Sequence, residues 1–321
     1  MYNPDMPLSR QLCAGALLIG LACVPAAAAP ASFRVAVIAD LNGEYGSAEY
    51  GRPVRDAVAK IAAEKPGLVL IAGDMVSGGK KTLSQGQLEA MWAGFAAAVG
   101  GPLAAAGVPV APAPGNHDAS GYPGYERERA LYAAYWGNRV PTVALLEGGN
   151  YPFEYAFTAG GALFVALDQT VMRKLSAERL AWLDGVLKAN PEYKARIVFT
   201  HLPLFPFAQG RETEVTIDHD LDALLARHNV AAVISGHHHA YFPGRRGAQK
   251  YMGAGCLGGG PRKLLGQSAV SKQSLLWLTI GADGSVSAEA AAYPGFSSFI
   301  SRSSLPEQVG AGAGKYLRDD L

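Results

Sequence analysis

The chain has 321 residues and a formal net charge of +1, from 28 Lys and Arg against 27 Asp and Glu. That length suffices for one large layered domain with a substantial core. The near-neutral balance, with no polybasic block, excludes an electrostatic footprint for duplex nucleic acid or an anionic membrane surface.

In chain order, residues 1–29 stand apart from the rest. Arg10 precedes an apolar run from Leu12 to Val24, and Pro25 with the alanines at 26–29 offers a small-residue cleavage site. This is the pattern of a secretory signal peptide, and the run is too short to anchor the chain across a bilayer. It predicts a periplasmic or secreted bacterial protein without stable membrane insertion once the signal is removed. Lipoprotein anchoring at Cys23 is the lesser option. Removal leaves Cys256 as the single cysteine, so no internal disulfide is expected. Its small-residue surroundings, residues 253–260, suit a packed side chain rather than a reactive one.

Short apolar runs at 35–39, 68–72, 108–111, 197–200 and 231–235 read as buried strands. Between the early ones, 53–64 and 85–99 read as helices, the first with Pro53 near its start. Two hairpins are predicted, 153–157 with 163–167 around Gly160-Gly161, and 275–280 with 285–290 around Asp283-Gly284. Crossover units mixed with hairpins predict mixed sheets covered by helices. One catalytic domain over 30–292 follows, with 293–321, small and Gly-rich, as a flexible C-terminal tail.

Nearly every candidate ligand falls just beyond the carboxyl end of an apolar strand, where α/β enzymes place their sites. These are Asp40 in Ile-Ala-Asp-Leu-Asn, Asp74 in Ala-Gly-Asp, Asn116 and His117 in Gly-Asn-His-Asp, His201 in Phe-Thr-His, and His237 and His239 in Gly-His-His-His. Carboxylate, amide and imidazole donors together suit borderline divalent or trivalent metals. Residues two apart in extended backbone point the same way, so His237 and His239 can share a site while His238 points away; Asp40 and Asn42 are related likewise. Each segment alone reads equally as a cap, a turn or a satisfied polar group. The ordered occurrence of all five argues for a metal site. His219 and His228, on an expected helix, are left out of it.

These segments resemble the calcineurin-like metallophosphoesterase family, whose pattern is Asp-x-His, Gly-Asp, Gly-Asn-His-Asp/Glu, a lone His, then Gly-His-x-His. The match runs from Asp40 to His239. The resemblance implies an α/β four-layer sandwich, two mixed β-sheets flanked by helices. It implies two divalent or trivalent ions (manganese, iron or zinc), one held by Asp40, Asp74 and His239, the other by Asp74, Asn116, His201 and His237, with Asp74 bridging. The expected chemistry is hydrolysis of a small phosphate ester, monoester or diester, by a metal-bound hydroxide. His117, which the family does not use as a ligand, is the candidate to stabilise the transition state or protonate the leaving oxygen, with Asp118 holding its orientation.

One position departs from the pattern, because Asn42 stands where most of the family has His. Its carbonyl oxygen is a harder and weaker donor, which lowers the expected zinc affinity and favours manganese, magnesium or iron. The competing reading is therefore a catalytically impaired metal- or ligand-binding periplasmic protein on the same fold. Substrate specificity is expected from loops 80–88, 120–125 and 205–214, where Tyr122, Tyr125, Phe205 and Phe207 either stack a base or pack the loops. Arg262 and Lys263, after the 258–260 glycines, are read as solvated charge.

Overall fold

The computed structural model describes residues 32–321; the expected signal segment, with Cys13 and Cys23, lies outside them. In the first sheet β1 (Phe33–Ile38), β2 (Leu68–Ala72) and β3 (Val110–Ala113) run parallel. Antiparallel strands β11 (Ser274–Ile280), β12 (Val286–Ala292) and β13 (Ser298–Phe299) extend it beyond β1. The second sheet starts from β4 (Ala144–Leu145) and passes through β5 (Tyr155–Ala159), β6 (Ala162–Ala166), β7 (Ala195–Thr200) and β8 (Ala232–Ser235). It continues through β10 (Gln249–Gly253) and β9 (Phe242–Arg246) to β15 (Tyr316–Arg318) and β14 (Gln308–Val309). Strands β6, β7, β8 and β10 are mutually parallel and the rest antiparallel, so both sheets are mixed, as expected.

The strands read as unbroken apolar runs because both faces are covered. Along β1, Val35 and Val37 face the second sheet, against the layer containing Phe157, Phe164 and Phe199. Ala36 and Ile38 face the other way, against α1 (Arg52–Glu64), α2 (Gln85–Phe95), α3 (Gly101–Ala105) and α5 (Glu126–Gly137). On the far side α6 (Ala177–Ala189) and α7 (His219–Arg227) cover the second sheet through Leu183, Leu187, Leu221 and Leu225. The result is four layers.

Local chemistry accounts for the element ends. Ser84 and Gln87 form a reciprocal capping box at the start of α2. That helix runs on through a π-helical stretch, Ala96–Gly100, into α3, farther than the predicted 85–99. The whole span Gln85–Ala105 has the length and hydropathy of a membrane helix. Its Leu88, Met91, Trp92, Phe95, Val99 and Leu103 form one face packed in the core. Gly160 and Gly161, at φ +54° and +76°, make the two-residue turn between β5 and β6 that only glycine adopts easily.

The C-terminal segment corrects the prediction. Residues 293–321, expected as a flexible tail, belong to the same compact unit as the sheets. β15 pairs with β9, and Tyr316 is buried against Phe205, Phe207 and Tyr251. Arg302 adds an ion pair to Asp319 and hydrogen bonds to Tyr241 and the Ala288 carbonyl. Composition misled because a few large side chains fix a segment otherwise made of small residues.

Candidate metal centre

The parallel strands of both sheets end at one place. Asp40 follows β1, Asp74 follows β2, Asn116 opens the short helix α4 (Asn116–Ala119) after β3, His201 follows β7 and His237 follows β8. The chain turns sharply there. Asp40, Asp74, His237 and His239 all have positive φ, between 51° and 64°. Left-handed backbone costs about 1–2 kcal/mol per residue for a side chain with a Cβ, less for Asp. Four such residues among the candidate ligands mark a place where tertiary structure overrides local preference.

Glycine is required where the turns meet. A Cβ on Gly115 would fall 2.1 Å from the Asp74 nitrogen and 2.2 Å from its Oδ1. Gly73 combines φ +83° with His201 Nδ1 2.4 Å from where its Cβ would lie. The motif glycines therefore let two strand ends approach within ligand distance.

The donors then converge. His201 Nδ1 donates to the Ala72 carbonyl at 2.9 Å, so in the neutral ring it is Nε2 that offers a lone pair. That nitrogen lies 2.9 Å from Asn116 Oδ1, 3.2 Å from Asp74 Oδ2 and 3.3 Å from His237 Nδ1. His237 in turn donates Nε2–H to Glu214 Oε2 at 3.0 Å, so its Nδ1 is bare as well. With the His201 ring neutral these are four lone-pair donors facing one another, and a proton on Nε2, which Asp74 favours, competes with a cation for the same place. Asp74, His201 and His237 offer ligand atoms all within 4.8 Å of one another, and all three are buried. Such a donor set fits a cation.

The other half is looser. His239 Nδ1 donates to the Gly259 carbonyl at 3.0 Å and turns Nε2 toward Asp40 Oδ1 at 3.4 Å. Asp40 itself accepts the His237 backbone N–H on both oxygens at 3.0 Å. Asn42 is buried, and its Oδ1 has no hydrogen-bond partner among the described residues. An orphaned buried carbonyl oxygen is costly unless a ligand meets it.

Charge follows the same layout. Burial works to raise Asp74, yet the His201 and His117 rings hold its carboxyl far below the ordinary carboxylate range. Burial works to lower His201, and Asp74 lifts it to about 9 instead; Asp40 lifts His239 to about 11 against its burial. His237 is pushed down to about 4 by burial, which outweighs its hydrogen bond to Glu214, with the charge on His201 adding. Protons and cations compete for these lone pairs.

His117 and Asp118 divide differently from the prediction. His117 Nδ1 donates to the Gly78 carbonyl at 2.6 Å, its ring stacks on Tyr45 with centroids 5.3 Å apart, and its Nε2 lies 3.9 Å from Asp74 Oδ2. Asp118 does not orient it. The Asp118 carboxylate accepts from the backbone of Met75 and Val76 on Oδ1 and of Gly115 on Oδ2, at 2.7–3.0 Å. It clamps the Asp74 loop to the Asn116 loop, while the two His117 nitrogens face the Gly78 carbonyl and Asp74 instead. Burial, then the charge of Asp74, push it up to about 7.

Above the candidate ligands lies a cavity of about 170 Å³ lined by Tyr45, Asn116, His117, Tyr122, Tyr125, Met172, Glu214 and His237, among others. Tyr122 and Tyr125 thus stand at the site, whereas Phe205 and Phe207 are buried in the outer core and pack the loops. Cys256 is buried, as expected. Sequence reasoning missed Tyr45 and Glu214, which no motif marks; Glu214 fell only within a loop expected to set specificity.

Fold and site together define a metal-dependent phosphoesterase class. Residues 33–241 match the family model described as calcineurin-like phosphoesterase, and the chain belongs to that family. Metal-dependent phosphoester hydrolysis is the general chemistry of such a site. Among solved structures, the chain is similar to GAP50, described as the anchor in the inner membrane complex of Plasmodium. The two are 14% identical, with 81% of this chain and 84% of that one covered at a TM-score of 0.50. The phosphopantetheinyl hydrolase of Mycobacterium tuberculosis is 10% identical, with 70% and 90% covered at a TM-score of 0.41. No curated protein matches the chain in sequence.

Proposed function

We propose that the protein hydrolyses a small phosphate ester, monoester or diester, at a dinuclear centre. Asp74, Asn116, His201 and His237 would hold one ion, and Asp40, Asp74 and His239, with Asn42 as a weak carbonyl donor, the other. When bound, the ions neutralise phosphate charge and make water a competent nucleophile near neutral pH. The observation that carries the reading is the convergence of His201 Nε2 with Asn116 Oδ1, Asp74 Oδ2 and His237 Nδ1 within 2.9–3.3 Å.

The chain's own residues supply the rest. With Nδ1–H committed to the Gly78 carbonyl, His117 keeps Nε2 for a proton that it can deliver to the leaving oxygen. Its backbone N–H, 2.9 Å from Asp74 Oδ1, ties the proton donor to the bridging carboxylate. Tyr45, Tyr122 and Tyr125 line the cavity, where a leaving group would meet them. The signal-like pattern of residues 1–29 supports periplasmic or secreted action on such an ester.

A binding protein on this fold is the competing reading, and His117 separates the two. His117→Ala should lower kcat by about 10²-fold or more while bound metal stays at the wild-type level. Unchanged turnover would remove His117 from the chemistry.

A further inference from the structure

The hydrogen bond from His237 to Glu214 lies outside the residues that the family pattern marks. His237 is almost wholly buried and presents Nδ1 to His201 Nε2 at 3.3 Å. Its other nitrogen, Nε2, meets Glu214 Oε2 at 3.0 Å. The same Glu214 oxygen is gripped by the Arg211 guanidinium, three residues back in the same loop. The Glu214 N–H donates to the Arg211 carbonyl at 3.1 Å, which closes the turn that carries both side chains.

An imidazole has one bare nitrogen only if the other holds the proton. Two of the converging donors have that choice. His201 has its outer N–H fixed by a backbone carbonyl that no substitution removes. For His237 the fixing acceptor is a side chain on a loop, so this ligand depends on one replaceable residue.

We infer that Glu214, held by Arg211, is a positioning residue that fixes the tautomer and ring orientation of His237 as a metal ligand. The inference rests on the metal-centre reading above. Glu214 makes His237 a better donor through the charge it places on the outer N–H. Its loop thereby couples the wall of the substrate cavity, which Glu214 also lines, to metal retention.

The test is zinc titration of metal-stripped full-length protein by calorimetry, in wild type, Glu214→Ala, Glu214→Gln, His237→Ala and the double variant Glu214→Ala/His237→Ala. Glu214→Ala should weaken zinc binding about 10- to 100-fold. Glu214→Gln keeps an oxygen that accepts the N–H and should recover part of that loss. On the His237→Ala background Glu214→Ala should change little, because its effect runs through the ring. Melting of the metal-stripped variants, expected within a few degrees of wild type, separates loss of a ligand from loss of the fold. Wild-type zinc affinity in Glu214→Ala would overturn the positioning role alone. An equal loss on the His237→Ala background would overturn it too, in favour of direct contact with the ion. A wild-type protein that takes up no zinc would overturn the metal-centre reading and this inference with it.

Discussion

On one side of the centre His201 Nε2 lies 2.9 Å from Asn116 Oδ1, 3.2 Å from Asp74 Oδ2 and 3.3 Å from His237 Nδ1. On the other, His239 Nε2 faces Asp40 Oδ1 at 3.4 Å and the Asn42 carbonyl oxygen has no partner among the described residues. The first half draws its ligands from the ends of strands in both sheets, and Asp118 locks two of the loops together. The second rests on the first motif, where Asn replaces the usual His. On the proposed dinuclear reading, a closed half and an open half imply unequal affinities, and an Asp74 shared by both would make the open half depend on the closed one.

The largest effect expected is from Asp74→Ala, which removes the carboxylate that the proposed function shares between both halves. It should abolish metal uptake and lower kcat/KM by about 10³-fold or more, since several kcal/mol of charge stabilisation is lost. Metal analysis alongside kinetics checks both. Full uptake in this variant would dissolve the picture of one centre with a shared carboxylate.

Asp118→Ala comes next and acts on stability. Three buried N–H groups lose their acceptor, a cost of about 3 kcal/mol, read as a lower urea midpoint. Zinc binding should weaken more in the closed half, whose loops the clamp joins. An unshifted midpoint would mean that water replaces the carboxylate without loss.

Asn42→His restores the softer donor of the family pattern. It should tighten zinc in the open half by about tenfold, roughly 1.4 kcal/mol, and leave the closed half unchanged. Calorimetric stoichiometry rising toward two ions per chain would sharpen the asymmetry, and no change would show that position 42 is not what keeps the half open.

The smallest effect belongs to the cavity wall. Tyr45→Ala removes the ring stacked on His117 and should raise KM for an aryl ester about three- to tenfold, with metal content unchanged. A fall in kcat alone would instead assign Tyr45 to holding His117.

Much of this centre was legible in the sequence, for a physical reason. Asp40, Asp74, His201 and His237 each follow a strand buried on both faces, so the apolar run announces the strand and the first polar residues after it announce the site. Glu214, Tyr45 and the Gly78 carbonyl carry no such signature, because their places are set by how loops fold over the sheets. Asp118 was assigned to the wrong partner because adjacency to His117 in sequence says nothing of which backbone groups crowd its carboxylate. The ordered C-terminal segment hid for a similar reason: Tyr316 and Arg302 fix it through contacts distant in the chain.

The most direct test of the central claim is hydrolysis of an aryl phosphate monoester and an aryl phosphate diester by metal-stripped protein titrated separately with manganese, iron and zinc. Turnover of at least one ester should return in step with metal binding, with zinc filling the closed half first. Full metal occupancy without turnover of either ester, with any of the three ions, would contradict the account and leave a metal-binding protein on a phosphoesterase fold.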